Sequence, residues 1–224
     1  MADIHANLEA LEAVLKDSKE QRCTHYAFLG DYVGYCADPK ACLEIVRAMN
    51  APCVKGNHDD YCATDLPLDG VNPVAAKLIH WTRKQLSDEE RRWLLSLEYV
   101  RAVENFTIVH GTLDAPERWE YVFDILAAAR NFTHQHTPLC FFGHTHVPLA
   151  FVRDTTVRGG TYIKFKVEPG KHYFVNVGSV GQPRDHNPKA AYVIYDLDEG
   201  SVELRRVEYD IATAKRKILE AGVG

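Results

Sequence analysis

The sequence predicts an α/β sandwich, in which two β-sheets lie face to face with helices on the outside. Three observations support this fold class. Apolar strand-like segments alternate with amphipathic helices to about residue 145, and strand follows strand from about residue 147. Hydrophobic residues make up 46% of the 224 residues, which is enough for a sizeable core. No repeat, low-complexity tract or linker interrupts residues 1–224, so we expect one domain.

Helices are predicted where a capping residue precedes an apolar stripe. Asn7 precedes a helix that extends to about residue 18, and Asp38 followed by Pro39 begins a helix over 38–50. Further helices are predicted over 73–85, 87–97 and 121–131, and after Asp210. Short strands are predicted over 25–30, 52–56, 99–103, 106–110 and 138–143. The β-rich part adds strands within PLAFV, TYIKFKV, HYFVNVG, AAYVIYDL and SVELRRV.

Composition excludes several classes of protein. The net charge of -5 argues against nucleic-acid binding, which usually requires a basic patch. No apolar run approaches the roughly 20 residues that span a bilayer, and no secretory signal is visible. The six cysteines form no CxxC pair, so we expect a reduced, cytoplasmic protein without a zinc ribbon. The sequence leaves the oligomeric state open.

Five clusters of polar residues stand where predicted strands end. They are DIH (3–5), GDYVGY (30–35), GNHD (56–59), VHG (109–111) and GHTH (143–146). Each offers aspartate, asparagine or histidine, and glycines allow close backbone approach beside four of them. Ligands bind at strand ends in α/β sheets, so we expect these loops to converge on one site.

The residue types at these loops indicate a divalent metal centre. Carboxylate, amide and imidazole donors without a thiolate suit Mn²⁺, Fe²⁺ or Zn²⁺. We expect Mn²⁺, with Fe, Zn, Ni and Co as alternatives. Seven donors exceed what one ion with open positions can use, so they predict two ions about 3.5–4 Å apart with a bridging carboxylate. The predicted ligands are Asp3, His5, Asp31, Asn57, His110, His144 and His146.

Such a centre would be electropositive, because two neutralising carboxylates face four positive charges. It would attract a phosphate and acidify a bridging water, giving a hydroxide near neutral pH. His58 stands beside Asn57 and can protonate the leaving alkoxide. Asp59 could orient His58 or form part of the loop.

The five clusters, in this order, resemble those of the calcineurin-like metallophosphoesterase superfamily. The resemblance runs from Asp3 to about Asp185 and is nearest to a bacterial and archaeal phosphodiesterase-like branch, which shares DIHAN, GDYVGY and GSVGQPRD (178–185). It implies a four-layer αββα sandwich. It also implies a first metal held by Asp3, His5 and His146 and a second held by Asn57, His110 and His144. In this resemblance Asp31 bridges the metals and His58 is the acid.

The chain departs from the family pattern before its first motif. Family members enter DxH on a buried strand of about five or six residues, whereas only Met1 and Ala2 precede Asp3 here. We therefore expect that an upstream strand has been truncated, and that Asp3 is poorly anchored without it.

A second departure concerns the protein-phosphatase branch. That branch has GDxxDRG and an arginine just after GNHE, and neither arginine is present in GDYVGYC and GNHDDYC. Arg184 is a candidate substrate-binding substitute. We therefore expect a phosphoric ester hydrolase, specifically a phosphodiesterase or phosphatase, that acts on a phosphodiester or a small phosphorylated or nucleotide substrate. The alternatives are a phosphoprotein phosphatase and a catalytically silent, metal-binding interaction scaffold.

Overall fold

A computed structural model describes residues 1–222 and confirms the α/β class. Residues 1–222 form seven α-helices: α1 (Leu8–Glu20), α2 (Pro39–Ala48), α3 (Asn57–Ala63), α4 (Pro73–Gln85), α5 (Asp88–Ser96), α6 (Ile125–Phe132) and α7 (Ile211–Glu220). None of the helices in this range is long and apolar enough to cross a membrane.

The strands form one large and one small sheet. The strands are β1 (Val100–Val103), β2 (Phe106–Val109), β3 (Leu139–Phe142), β4 (Ala150–Arg153), β5 (Val157–Gly160), β6 (Lys164–Lys166), β7 (His172–Asn176), β8 (Ala190–Asp196) and β9 (Ser201–Val207). The large sheet has the order β1-β2-β3-β7-β4-β5, and the small sheet has the order β6-β9-β8. β2, β3 and β7 run parallel at the centre of the large sheet.

The buried side chains arrange these elements in the four layers that the resemblance implies. One face of the large sheet packs through Phe142 against Phe132 of α6. Its other face packs through Val175 against Val202 of the small sheet. The outer face of the small sheet then packs against α1, through Tyr192 and other buried apolar residues. Alternate side chains of β8 therefore pack into two different hydrophobic cores.

The N-terminal residues are held between two neighbouring segments. On one side Leu29 donates a backbone hydrogen bond to Met1, and Asp3 donates one to Gly30. On the other side Val180 donates to Ala2 and Gly181 to the Asp3 carbonyl. Asp3 is therefore firmly anchored, and the expectation of weak anchoring is wrong. The GSVGQPRD stretch supplies the contacts that the sequence alone did not reveal.

Some local predictions need correction. The predicted strand 25–30 is extended, but it joins 52–56 through one isolated bridge between Phe28 and Cys53 and forms no ladder. The segment 157–160 forms a strand that no pattern predicted. The predicted helix over 121–131 begins only at Ile125, because the Asp124 side chain accepts a hydrogen bond from the Ala127 amide and caps it there.

The GNHD motif also differs from its prediction as a loop. Asn57 begins the short helix α3, with Gly56 as its N-cap residue. The Asp59 carboxylate accepts a hydrogen bond from the Gly56 amide at 2.9 Å, as in a capping box. The motif therefore places Asn57 and His58 in the first turn of a helix.

Candidate metal centre

The five polar clusters converge at one edge of the sandwich, as predicted. Asp31 follows the segment that bridges to Cys53 through Phe28, His110 follows β2, and His144 follows β3. All seven predicted ligands are at least 91% buried, although each carries a polar side chain. Buried polar groups need partners, so their mutual contacts define the site.

The ligand atoms form two groups that share one residue. In one group, Asp3, His5, Asp31 and His146 each present an atom within 4.8 Å of the others. In the second group, Asp31, His110 and His144 do the same. The Asn57 amide oxygen joins the second group at 3.3 Å from His110 Nε2.

Asp31 lies between the groups in the position of a bridge. Its Oδ2 is 3.5 Å from His5 Nε2 and 3.3 Å from His110 Nε2. Its Oδ1 accepts a hydrogen bond from the His58 amide at 2.8 Å, which fixes the carboxylate orientation. One oxygen is thus held by the backbone, while the other faces both groups.

The outer nitrogen of each histidine predicted to be a ligand is held by a backbone carbonyl. His5 Nδ1 lies 3.1 Å from the Val33 oxygen, and His110 Nδ1 lies 2.8 Å from that of Leu29. His144 Nε2 and His146 Nδ1 make equivalent bonds to Trp119 at 2.8 Å and to Gln182 at 2.6 Å. Because a carbonyl oxygen only accepts, each outer nitrogen must carry the hydrogen. In a neutral ring the inner nitrogen then presents a lone pair, as in a metal ligand.

These inner nitrogens approach one another closely. His5 Nε2 is 3.1 Å from His146 Nε2, and His110 Nε2 is 3.1 Å from His144 Nδ1. Two ring nitrogens at this distance repel unless a cation or a proton lies between them. The residues therefore fit a cation in each group, and the superfamily resemblance agrees with this donor chemistry.

Burial and the charge of nearby carboxylates shift the pKa values of these histidines in opposite directions. Burial lowers the pKa of His5, and it lowers the pKa of His144 to about 3, so both rings stay neutral. At His110, burial is outweighed by the Asp31 and Asp3 carboxylates, which raise the pKa to about 9. The position between the carboxylates thus attracts positive charge strongly.

His58 lies beside the centre but belongs to neither ligand group. Its ring packs edge-on against His5, with 4.9 Å between centroids, and 4.5 Å from the Tyr35 ring. Its Nδ1 is buried without a hydrogen-bond partner among the described residues. Burial lowers the pKa of His58 to about 4. A neutral ring still carries one N–H that can donate to a substrate.

Asp59 faces the backbone of the Asp31 loop. Its Oδ2 accepts hydrogen bonds from the amides of Asp31 at 2.7 Å and Gly56 at 2.9 Å, and its Oδ1 accepts one from Tyr32 at 2.8 Å. The side chain is fully buried. These contacts tie the Asp31 loop to the start of α3.

Arg184 lies at the exposed rim of the centre. Its guanidinium stands over the Tyr35 ring, 5.6 Å from the centroid, and also contacts the Gln182 side chain. The Arg184 amide donates to the His146 carbonyl at 3.2 Å, which places this residue next to the ligand loop. The charged group therefore remains accessible beside the site.

Sequence reasoning missed several residues that shape this centre. Asn176 is fully buried and donates from Nδ2 to the Gly143 carbonyl at 2.6 Å and to Thr145 Oγ1 at 2.9 Å, which holds the GHTH turn. Trp119 accepts from His144 through its carbonyl, and the Tyr121 ring stacks on His144 at 4.2 Å. A backbone acceptor leaves no trace in the sequence, although the aromatic run WEYVF was a visible signal.

Comparisons with known proteins agree with this geometry. The model of the calcineurin-like phosphoesterase superfamily domain matches residues 1–200. The chain is 42% identical to a metallophosphoesterase from Sphaerobacter thermophilus, with a TM-score of 0.88 over 100% of this chain and 93% of that one. It is 37% identical to an uncharacterized protein from Methanocaldococcus jannaschii, over 98% of this chain and 90% of that protein.

A more distant structure shares the fold. A hypothetical protein from Pyrococcus horikoshii is 19% identical and superposes with a TM-score of 0.79, over 100% of this chain and 92% of that one. The family match covers most of the chain, and it agrees with the ligand groups and the four layers described above. The chain therefore belongs to the calcineurin-like phosphoesterase superfamily.

Proposed function

We propose that this protein hydrolyses phosphoesters with two divalent metal ions, and that its substrates are phosphodiesters or small nucleotides. The observation that carries this proposal is the arrangement of inner histidine nitrogens around the shared Asp31 carboxylate. When bound, the two ions would supply positive charge for phosphate oxygens and acidify the attacking water.

The ligand residues divide between the two ions as the superfamily resemblance implies. Asp31 Oδ2, between the groups, supports its assignment as the bridge. The first ion would be held by Asp3, His5 and His146, and the second by Asn57, His110 and His144. Mn²⁺ is the expected ion, because oxygen and imidazole donors without a thiolate suit it.

His58 is the proposed proton donor to the leaving oxygen. Its backbone is fixed by Asp31, its ring is fixed by His5 and Tyr35, and its Nδ1 is not used by another protein group among residues 1–222. This placement supports a donor role without a ligand role. Asp59 would act as a positioning residue, because its oxygens hold the Asp31 and Gly56 amides.

Arg184 is the proposed substrate-binding residue. Its guanidinium can donate two hydrogen bonds to phosphate oxygens, and it lies beside the His146 loop. The motifs GDYVGY and GNHDDYC lack the arginines of the protein-phosphatase branch. This difference favours a phosphodiester or a small nucleotide over a phosphoprotein.

Metal analysis combined with an assay of bis-p-nitrophenyl phosphate tests the proposal. We expect the protein loaded with Mn²⁺ to bind two ions per chain and to release p-nitrophenol, and we expect chelation to stop release until Mn²⁺ is restored. Two bound ions without hydrolysis of this diester or of p-nitrophenyl phosphate would favour the interaction scaffold. Hydrolysis of p-nitrophenyl phosphate alone would favour a phosphatase.

A further inference from the structure

An aromatic segment leads outward from the metal ligand His144. The Trp119 carbonyl accepts from His144 Nε2 at 2.8 Å. Two residues later, the Tyr121 ring lies parallel to the His144 ring, with 4.2 Å between centroids and 10° between planes. Val122 is buried, whereas Tyr121 and Phe123 on either side of it are exposed.

Phe123 continues the stack into solvent. Its ring lies 5.7 Å from the Tyr121 ring, with 17° between planes. Tyr121 is 51% exposed and Phe123 is 55% exposed. Single exposed apolar residues are ordinary, but adjacent exposed rings beside a buried charged centre are typical of a ligand site. We call Tyr121 and Phe123 the aromatic pair.

Positive charge lies at the rim of the same centre. Arg184 stands over the Tyr35 ring, and that ring packs against the predicted ligand His5 with 4.7 Å between centroids. The rim therefore combines aromatic rings with a cation, beside donors that suit divalent metal ions.

We propose that the aromatic pair binds a planar group carried by the phosphoester, so that the preferred substrates are phosphodiesters with a nucleoside or similar aromatic alcohol. This inference rests on the proposed function and specifies its substrate class. Stacking on aromatic side chains accepts any base, because every base has a π-face. The continuity of the stack with His144 favours substrate over a second protein chain as the occupant.

Two diesters with the same leaving group test this inference. Thymidine 5′-(p-nitrophenyl phosphate) and methyl p-nitrophenyl phosphate differ only in the alcohol that remains on phosphorus. We expect the Mn²⁺-loaded protein to show a kcat/KM about tenfold higher for the thymidine ester. Phe123→Ala and Tyr121→Ala should remove most of this preference, whereas Tyr121→Phe should keep it.

The ratio of kcat/KM for the thymidine ester to that for the methyl ester distinguishes a loss of stacking from damage to the metal centre. A general loss of activity lowers both rates and leaves the ratio unchanged. Leu126→Ala is the matched control, because Leu126 is 79% exposed in the first turn of α6, three residues after Phe123, and is not part of the aromatic stack. It should preserve the ratio.

A binding measurement provides a second readout that does not depend on turnover. By calorimetry, thymidine 5′-phosphate should bind the loaded protein more tightly than methyl phosphate does, and Phe123→Ala should reduce the difference. Equal rates and equal affinities for the two ligands would overturn the inference while leaving the proposed function intact. Absence of hydrolysis of either ester would reject both. If Phe123→Ala instead dissociates an oligomer without changing the ratio, the aromatic pair is a protein interface.

Discussion

The loops that carry the predicted metal ligands and the β8–β9 hairpin are built in opposite ways. β8 and β9 pair through seven consecutive residues each, in a regular antiparallel ladder. The segment that leads to Asp31 joins its neighbour through one isolated bridge. Five of the seven predicted ligands also have positive φ angles, and these are Asp3 (54°), His5 (50°), Asp31 (56°), His144 (66°) and His146 (59°). The hairpin has no such residue within its strands.

This difference shows which contacts offset the free-energy cost of the left-handed backbone in the ligand loops. A non-glycine residue in the left-handed region costs about 1–3 kcal/mol and persists only when its surroundings impose it. Buried hydrogen bonds that Asp59 accepts and Asn176 donates supply that constraint to the loops. The hairpin maintains itself through its own ladder, whereas the ligand loops depend on contacts from distant parts of the chain.

The largest effect should follow from removing the Asp31 carboxylate, which is the proposed bridge. Asp31→Asn takes charge from both ligand groups at once, because Oδ2 lies between them. We expect bound metal to fall from two ions to fewer than one per chain, and turnover to fall about 10⁴-fold or more. Elemental analysis and the p-nitrophenyl assay measure the two effects. Asp88→Asn, at the exposed start of α5, should retain both ions; full metal content in Asp31→Asn would exclude the bridge.

His58→Ala should separate proton donation from metal binding. His58 is in neither ligand group, so both ions should remain, while turnover should fall about 10²–10⁴-fold. Metal content and kcat are measured on the same sample. His134→Ala is the matched control, since His134 is exposed and belongs to neither ligand group. Unchanged kcat with two bound ions would remove His58 from the reaction.

Local patterns in the sequence could be predicted, whereas contacts between distant parts of the chain could not. The convergence of Asp31, His110 and His144 could be predicted because each follows a short apolar segment or strand, and that pattern is local. The helix at GNHD was missed because its seven residues, mostly polar, show no apolar stripe. The contacts of Asn176 and of the Trp119 carbonyl were missed because they join residues 25 to 33 positions apart, which no local pattern encodes.

Asp59→Asn should weaken the support of the ligand loop without removing a ligand. The carboxylate accepts bonds from four amides, and an asparagine would present an NH₂ to at least one of them. The donors are Asp31, Tyr32, Val33 and Gly56. We expect a loss of about 1–3 kcal/mol in the free energy of unfolding and weaker metal binding by about 10–100-fold. Urea denaturation and metal titration measure these changes. Asp60→Asn, one residue along α3 and partly exposed, should change metal affinity little; equal effects in both variants would contradict the role assigned to Asp59.

The smallest effect should come from a substitution that weakens the contact between α1 and the β8–β9 hairpin. Asp17 of α1 accepts hydrogen bonds from the Tyr192 hydroxyl at 2.6 Å and from Arg205 Nη2 at 2.9 Å, which join this helix to β8 and β9. Burial acts to raise the pKa of Asp17, but the hydrogen bonds from Arg205 and Tyr192 prevail and lower it. Asp17→Asn should therefore cost about 1 kcal/mol of unfolding free energy at neutral pH.

The pH dependence of this loss follows from the direction of the shift. A carboxylate with a lowered pKa contributes its full stabilisation above its unfolded value of about 3.9 and loses it as pH falls through the folded value. The difference between wild type and Asp17→Asn should therefore shrink in acid. Asp198→Asn, in the exposed turn between β8 and β9, is the control and should have no effect. Because the hairpin carries none of the predicted ligands, metal content and kcat should be unchanged in Asp17→Asn, and a loss of bound metal would show that the two regions are energetically coupled.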